Sequence, residues 1–529
     1  MRFSLSQVVR MTSFALVCAV LFSLLGQSSA VSAAVQQPIR IYLDGKKINS
    51  DVPPYIMPKV NVTMVPLSVI SKSMGANVSW SQSEKTATIR HEGVALSMKL
   101  GQKFALVDGR RVDLETSVQA INGRIMVPIR FVSNQLKLQV TWHQATRTIE
   151  LKSKEGDANV NFAIKGAWIS TVFNLDWPSK DSYGQAEKQK QEYIQLLDEL
   201  QGMGMNTVFV QVRPSSDSLY PSQLVPWSAY LQGKQGTDPG YDPLAFMIGE
   251  THRRGMEFHA WFNPFRATVA GAKLDSLAPN HVAIARPEWI VESGGLRYIN
   301  PGIPEARQHI IDAIMEVVRG YDIDGVHLDD YFYPSNSVFA DDAAFAAHNP
   351  NRISDKGDWR RDNINRFVED LGRAIRAAKP LVSFGISPFG VWRNNAVDPT
   401  GSDTRAGVSA YDHMYADVRT WIKQEWIDYV APQIYWSLSF KVAQYDTLVD
   451  WWANEVRGTN VDLLIGHAPY KLGTAEAGWN TAQEIIDQLE YNKNVPEVKG
   501  DIFFSAKDLR RNPLGLVPLL QDYYQVNRP

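Results

Sequence analysis

A single cysteine, Cys18, occurs in 529 residues, and it falls inside an apolar run near the N-terminus. A chain that sheds that run carries no thiol, which excludes disulfides, thiol nucleophiles and thiolate metal sites. An excess of one charge is missing too, since 54 Lys and Arg oppose 56 Asp and Glu. No basic surplus is left to make nucleic acid or an anionic membrane surface an obligatory partner. Metal-protease spacing is absent, because none of the ten histidines stands two or four residues from another. The dinucleotide fingerprint GxGxxG is also lacking where a doubly wound sheet would need it, after the first strand of the long α/β region. What remains is a folded chain, 44% hydrophobic and 11% aromatic, far from the composition of disorder.

Residues 1–34 read as a signal peptide. Arg2 and Arg10 form its positive region, Phe14 to Leu25 (FALVCAVLFSLL) its apolar core, and SSAVSAA its small-residue tail, with cleavage expected after Ala33 or Ala34. Twelve apolar residues are too few for a membrane-spanning helix, which needs about 20. The expected location is therefore secreted or cell-wall associated, with no integral span after cleavage. Cys18 has no small residue before it, so it reads as a spectator rather than a lipid attachment point.

Residues 38–153 form a β-rich module containing an internal repeat. Met64-Val65-Pro66-Leu67, Val78-Ser79-Trp80 and Thr86 recur 62 positions later as Met126-Val127-Pro128-Ile129, Val140-Thr141-Trp142 and Thr148. Each copy reads as a helix over a hairpin with its Trp packed beneath, giving one small α+β unit. This pattern resembles the copper amine oxidase N-terminal-like, or stalk, domain of secreted bacterial proteins. His91 and His143 lie far apart in the repeat and no cysteine accompanies them, so a wall-facing spacer without a copper site is expected.

After the polar linker KSKEGDANVN, residues 160–525 alternate strand and helix. Strands are expected at Ile164–Ser170, Asn206–Arg213, Met256–Asn263, Gly325–Asp330, Val382–Ser387, Tyr429–Tyr435, Asp462–His467 and Asp501–Ser505. Amphipathic helices lie between them, for instance at Lys188–Gln201, Pro243–Arg254, Pro304–Arg319, Arg361–Lys379 and Ala482–Asn492, with a short last helix at Leu516–Gln521. Eight such units specify an α/β fold of the (β/α)8, TIM-barrel type, whose chemistry gathers at the C-terminal ends of the strands.

Those ends are rich in polar and aromatic residues. The fourth, YDIDGVHLDDYFYP, breaks from an apolar strand into Asp329 and Asp330 and then into three aromatics. Around it stand Trp168, Arg213, His259, Trp261, Asn263, His327, Tyr331, Trp392, Gln433, Tyr435 and Trp436, a mixture suited to binding a polyhydroxylated substrate. Neighbouring strand residues point oppositely, so one of the two acids is expected at the mouth and the other in a bracing role.

The stretches KGAWIS, GMNTVFVQVRP, AWFNPFR, DGVHLDDYFYP, ISPFGVWRN and YVAPQIYW make residues 165–508 resemble the glycosyl-hydrolase-like family ten of bacterial secreted and cell-envelope proteins. The resemblance implies a glycosidase acting on peptidoglycan-type or related polysaccharide; no cofactor is expected. Many sugar-cleaving barrels have a similar DGxRxD fourth strand with a nucleophile where Asp329 stands; here His327 replaces the Arg. Asp329 is thus expected as nucleophile or general base, with Asp330 as its substitute. Chitinase-like barrels end this strand in a Glu, and Tyr331 departs from them, so the proton donor is sought in the loop after the fifth strand. Asp398, Asp403 and Asp412 are the candidates there, and Asp403 is chosen.

Two other classes of function compete with this one. A carbohydrate-binding wall protein is suggested by the missing Glu, and a metal-assisted hydrolase or deacetylase by His259, His327, Asp329 and His467. No oligomeric state is legible.

Overall fold

In a computed structural model the described residues are 38–525, apart from 44, 49, 51, 58–61, 69–75, 92–93, 108, 137, 144–145, 154–163, 336 and 380–381. The signal-peptide expectation, the first repeat's helix and the linker lie outside them. Among the described residues no helix is long and apolar enough to cross a membrane.

The small N-terminal unit builds the repeat into its pairing. Val62–Pro66 and Arg124–Pro128 run antiparallel with Met64 opposite Pro128, Val65 opposite Val127 and Pro66 opposite Met126. Equivalent residues of the two copies thus exchange places across the pair. Trp80 and Trp142 are only partly buried against the apolar core, so they flank it instead of lying beneath.

Eight parallel strands then close into a barrel: β1 (Ile164–Ile169), β2 (Thr207–Arg213), β3 (Glu257–Phe262), β4 (Gly325–Leu328), β5 (Ser383–Ile386), β6 (Tyr429–Val430), β7 (Asp462–His467) and β8 (Val498–Phe503). Closure is made where Ile164 pairs with Gly500 and Ala167 with Phe503. One helix packs outside each step: α1 (Ala186–Gly202), α2 (Pro243–Arg253), α3 (Pro304–Gly320), α4 (Lys356–Ala378), α5 (Val418–Lys423), α6 (Tyr445–Val456), α7 (Gln483–Lys493) and α8 (Leu516–Tyr523). Their starts follow local chemistry. Asp242 caps α2 by accepting from Ala245 N at 3.0 Å before Pro243, and Asp355 caps α4 from Asp358 N at 2.8 Å.

Alternation along the strands divides the interior in two. Outward residues such as Val326, Leu328, Phe384 and Ile465 join the helices in the main core. Inward residues Trp168, Phe209, Trp261, Tyr429, Leu464 and Ile502 fill the bore as a separate cluster, so the barrel is packed, not a pore. Glycines make room for these rings: a Cβ on Gly325 would meet His259 Nδ1 at 2.3 Å, and one on Gly385 would meet the Tyr429 ring at 2.1 Å.

Candidate active site

Below the mouth the bore is a closed hydrogen-bonded stack. Trp168 Nε1 donates to His327 Nε2 at 3.0 Å, which leaves the His327 Nδ1 proton to donate to Tyr429 Oη at 3.0 Å. The Tyr429 hydroxyl then donates to His259 Nδ1 at 3.1 Å. Burial, with His259 nearby, drives His327 well below the usual imidazole range and keeps it neutral. Trp168, His259 and His327 are at most 2% exposed. These three expected sugar-binding residues are therefore internal packing, because strand parity points them inward one layer too deep.

Arg213 is corrected similarly. It is fully buried, and its guanidinium donates to Asn263 O at 2.9 Å, Pro264 O at 3.1 Å and Ser216 Oγ at 3.3 Å, tying the loops after β2 and β3 together. Asn263, also buried, accepts from Gln211 Nε2 at 2.9 Å. Trp392 is stacked on Trp451 with centroids 5.6 Å apart and Arg419 over its ring at 4.6 Å, so it serves the outer core and not the mouth. His467 faces outward to α7, bonded to Gln488 Oε1 at 3.0 Å and to Asp501 Oδ1 at 2.7 Å. It cannot join His259, His327 and Asp329 around one ion. Among the described residues no three His, Cys, Asp or Glu side chains form a metal-ligand group.

At the top of the bore the packing opens. β4 stops at Leu328, two residues earlier than expected, and the chain turns as Phe332 N donates to Asp330 O at 2.9 Å. The turn releases Asp330 from strand alternation, so both acids come to one site. Asp330's charge bears on Asp329, Arg266 bears on both, and Gln433 lies close enough to act as a donor to Asp330. This corrects the expected division into one mouth residue and one brace.

The environments of the pair differ. Burial first, and then Asp330, push the Asp329 carboxyl up to about 8, against smaller lowering by Arg266, Trp261 and the Tyr331 backbone. Burial pushes Asp330 up to about 6, held there by Gln433 and Arg266. Among the described residues the backbone donor to Asp329 is distant, Tyr331 N to Oδ1 at 3.5 Å, and Trp261 lies near enough to act as a further weak donor. Asp329 Oδ2 and the neighbouring Trp261 Nε1 are buried, and among the described residues neither makes a hydrogen bond of good geometry. Unmet polar atoms at a strand end are the places a ligand would satisfy.

An aromatic rim surrounds the acids. Tyr331 is 43% exposed, with the Arg266 guanidinium 3.6 Å from its ring centre. Tyr435, close enough for both acids to act on it, stacks on Phe504 at 6.2 Å and meets Tyr470 edge-on at 6.0 Å. Trp436 is half-buried against Phe389. Phe332 and Tyr333, next to Tyr331 in sequence, are buried, so one aromatic of the three reaches the rim. Arg266, four residues after Phe262 at the end of AWFNPFR, is a strand-end residue expected from the sequence, and it supplies the cation of this rim.

Asp403 is exposed and accepts from Asn395 Nδ2 at 3.0 Å. No described contact joins it to the strand-end acids. Asp398 and Asp412 are both held by Arg393, at 3.2 and 2.7 Å. The proton donor expected in this loop is thus better sought in the pair itself.

With this geometry in view, the family profile of glycosyl hydrolase-like 10 matches residues 163–483 and that of the copper amine oxidase N-terminal domain matches residues 42–151. The chain is a member of the glycosyl hydrolase-like 10 family. Over 357 residues it is 53% identical to glycosyl hydrolase YngK of Bacillus subtilis, covering 67% of this chain and 70% of that one. It is 43% identical over 370 residues to glycosyl hydrolase DigH of Escherichia coli K12, covering 66% and 84%. A solved likeness is the glycoside hydrolase domain of PgaB (BpsB) from Bordetella bronchiseptica, at 11% identity and TM-score 0.48, covering 69% of this chain and 99% of that domain. The enzyme is a glycoside hydrolase.

Proposed function

We propose that this glycosidase is exported and cleaves the glycan strands of bacterial cell wall, with Asp329 as general acid and Asp330 as the carboxylate that works beside it. The observation that carries the roles is the unequal setting of two adjacent acids at one strand end. Near neutral pH the buried Asp329, raised to about 8, keeps its proton, while Asp330, raised to about 6, has lost its own. Splitting two carboxyls in this way is how a single site holds an acid and a base together. The roles reverse the sequence expectation, which gave Asp329 the nucleophilic part.

Support for the wall glycan comes from three features of the chain. Its N-terminus carries a signal-type pattern, its first domain is of the stalk type, and the rim presents Tyr331, Tyr435 and Trp436 for contact with sugar rings. A cavity of about 820 Å³, lined by Asp217, Tyr230, Gln235 and Thr268, opens between the loops after β2 and β3.

The test is release of reducing ends from purified peptide-free glycan strands, with and without chelator. New ends that survive chelation and vanish in Asp329→Asn are expected. Strands that stay intact under the wild-type enzyme, or acetate release without new ends, would overturn the assignment.

A further inference from the structure

Glycoside hydrolysis by two protein carboxyls requires them to flank the bond, about 5 to 5.5 Å apart for retention or about 6.5 to 9.5 Å for inversion, approaching the anomeric carbon from different sides. Here both acids come from consecutive residues of one strand end, so they meet the sugar from one side. The groups brought against them by other strands are Trp261 and Arg266 from the β3 side and Gln433 and Tyr435 from the β6 side. None of these is a carboxylate.

Acids of the loops after β1, β2 and β5 are engaged elsewhere. Asp176 after β1 accepts from Ser505 Oγ at 2.7 Å, Lys507 N at 2.6 Å and Ser170 N at 2.7 Å. Asp217 after β2 accepts from Ser215 N at 3.1 Å and Gln235 Nε2 at 3.3 Å, and the acids after β5 have been placed above. Among the described residues no further carboxylate is brought against the pair, which leaves an acid and a companion carboxylate without a protein nucleophile across from them.

Resting on the proposed roles of the pair, we infer that the nucleophile comes from the substrate: the carbonyl oxygen of a 2-acetamido group on the sugar whose bond is cut. That oxygen forms a bond to the anomeric carbon as the glycosidic C–O bond breaks. The Asp329 proton passes to the departing oxygen. Asp330, fixed by Gln433, which itself donates to Ser387 O at 3.0 Å, accepts the acetamide N–H and stabilises the positive charge of the five-membered ring that forms. Water then attacks the same carbon, the Asp329 carboxylate takes its proton, the ring opens back to the acetamide, and the configuration is retained. No oxidant, metal or further reactant is needed for the balance. Consequently the substrate class is restricted to glycans carrying an N-acyl group at the position next to the cleaved bond.

The experiment uses the full chain on peptide-free strands that have been de-N-acetylated and re-acylated with acetyl, fluoroacetyl, difluoroacetyl or trifluoroacetyl groups. Fluorine withdraws electrons from the carbonyl and barely changes its size. A stepwise fall in kcat across the series, of about 100-fold or more from end to end, with retention in the first product seen by NMR, is expected. Equal kcat across the series, rapid cleavage of the free-amine strands, or an inverted product would overturn the inference while leaving glycan cleavage by this pair intact. Failure to cut any strand, acetylated strands included, would instead overturn the proposed function on which it rests.

Discussion

An inward position of β4 and the residue just past its end have opposite fates. His327 is sealed into the bore, where Trp168, Tyr429 and Ser387 all lie within 3.2 Å of its ring nitrogens. Asp329, one layer higher, is as deeply placed yet keeps an oxygen without a hydrogen bond of good geometry among the described residues. Asp176, at the same face, offers a second comparison: it is half-buried and raised to about 6 by desolvation, but three donors pull it back. Asp329, with the Asp330 charge beside it and only weak donors in Trp261 and Tyr331 N, rises to about 8. Burial with three good donors makes a structural acid; burial beside a second carboxylate, with weak donors, leaves a protonated acid for a ligand.

The contrast breaks most sharply at the acids. Asp329→Asn should lower kcat by about 10²- to 10⁴-fold, the usual share of a general acid, in a reducing-end assay. Its stability should move the other way. The folded carboxyl sits near 8, above its unfolded value of roughly 3.9, so the native state holds a proton that the unfolded chain has lost. Stability from this group is present at low pH and declines as pH rises towards about 8. The Tm of Asp329→Asn relative to wild type should therefore improve from acid to alkaline buffer; a pH-independent difference would contradict the burial argument.

Arg266→Gln should be milder, a loss of about tenfold. It removes a cation that lowers both carboxyls, so both limbs of the pH profile should shift upward. In the bore, Trp168→Phe deletes the donor to His327 and should cost about 1–3 kcal/mol of stability by denaturant titration, with KM unchanged. Asp403→Asn should change kcat less than about twofold, the smallest effect, and a large loss there would restore the loop donor expected from sequence.

The barrel was legible because period-2 and period-3.6 patterning alternates cleanly over residues 164–523, and because carboxylates at a strand end stand out from an apolar run. Depth was not. His259, His327 and Trp168 share the parity of Asp329 and Trp261, and composition cannot tell a filled layer from an open one. The pairing of Asp329 with Asp330 was misjudged for a local reason: the expected strand ran to Asp330, whereas the turn after Leu328 frees the second acid from alternation. Arg213 and Trp392 looked like ligand groups because buried cations and indoles are uncommon. Their partners, loop carbonyls and Trp451, lie far off in sequence.

The most direct measurement is the pH dependence of kcat/KM for reducing-end release by the wild-type enzyme. The account predicts a bell, rising through about 6 as Asp330 loses its proton and falling through about 8 as Asp329 loses its own, with the alkaline limb abolished in Asp329→Asn. A profile that stays flat through alkaline pH, or an alkaline limb that persists in that variant, would contradict it.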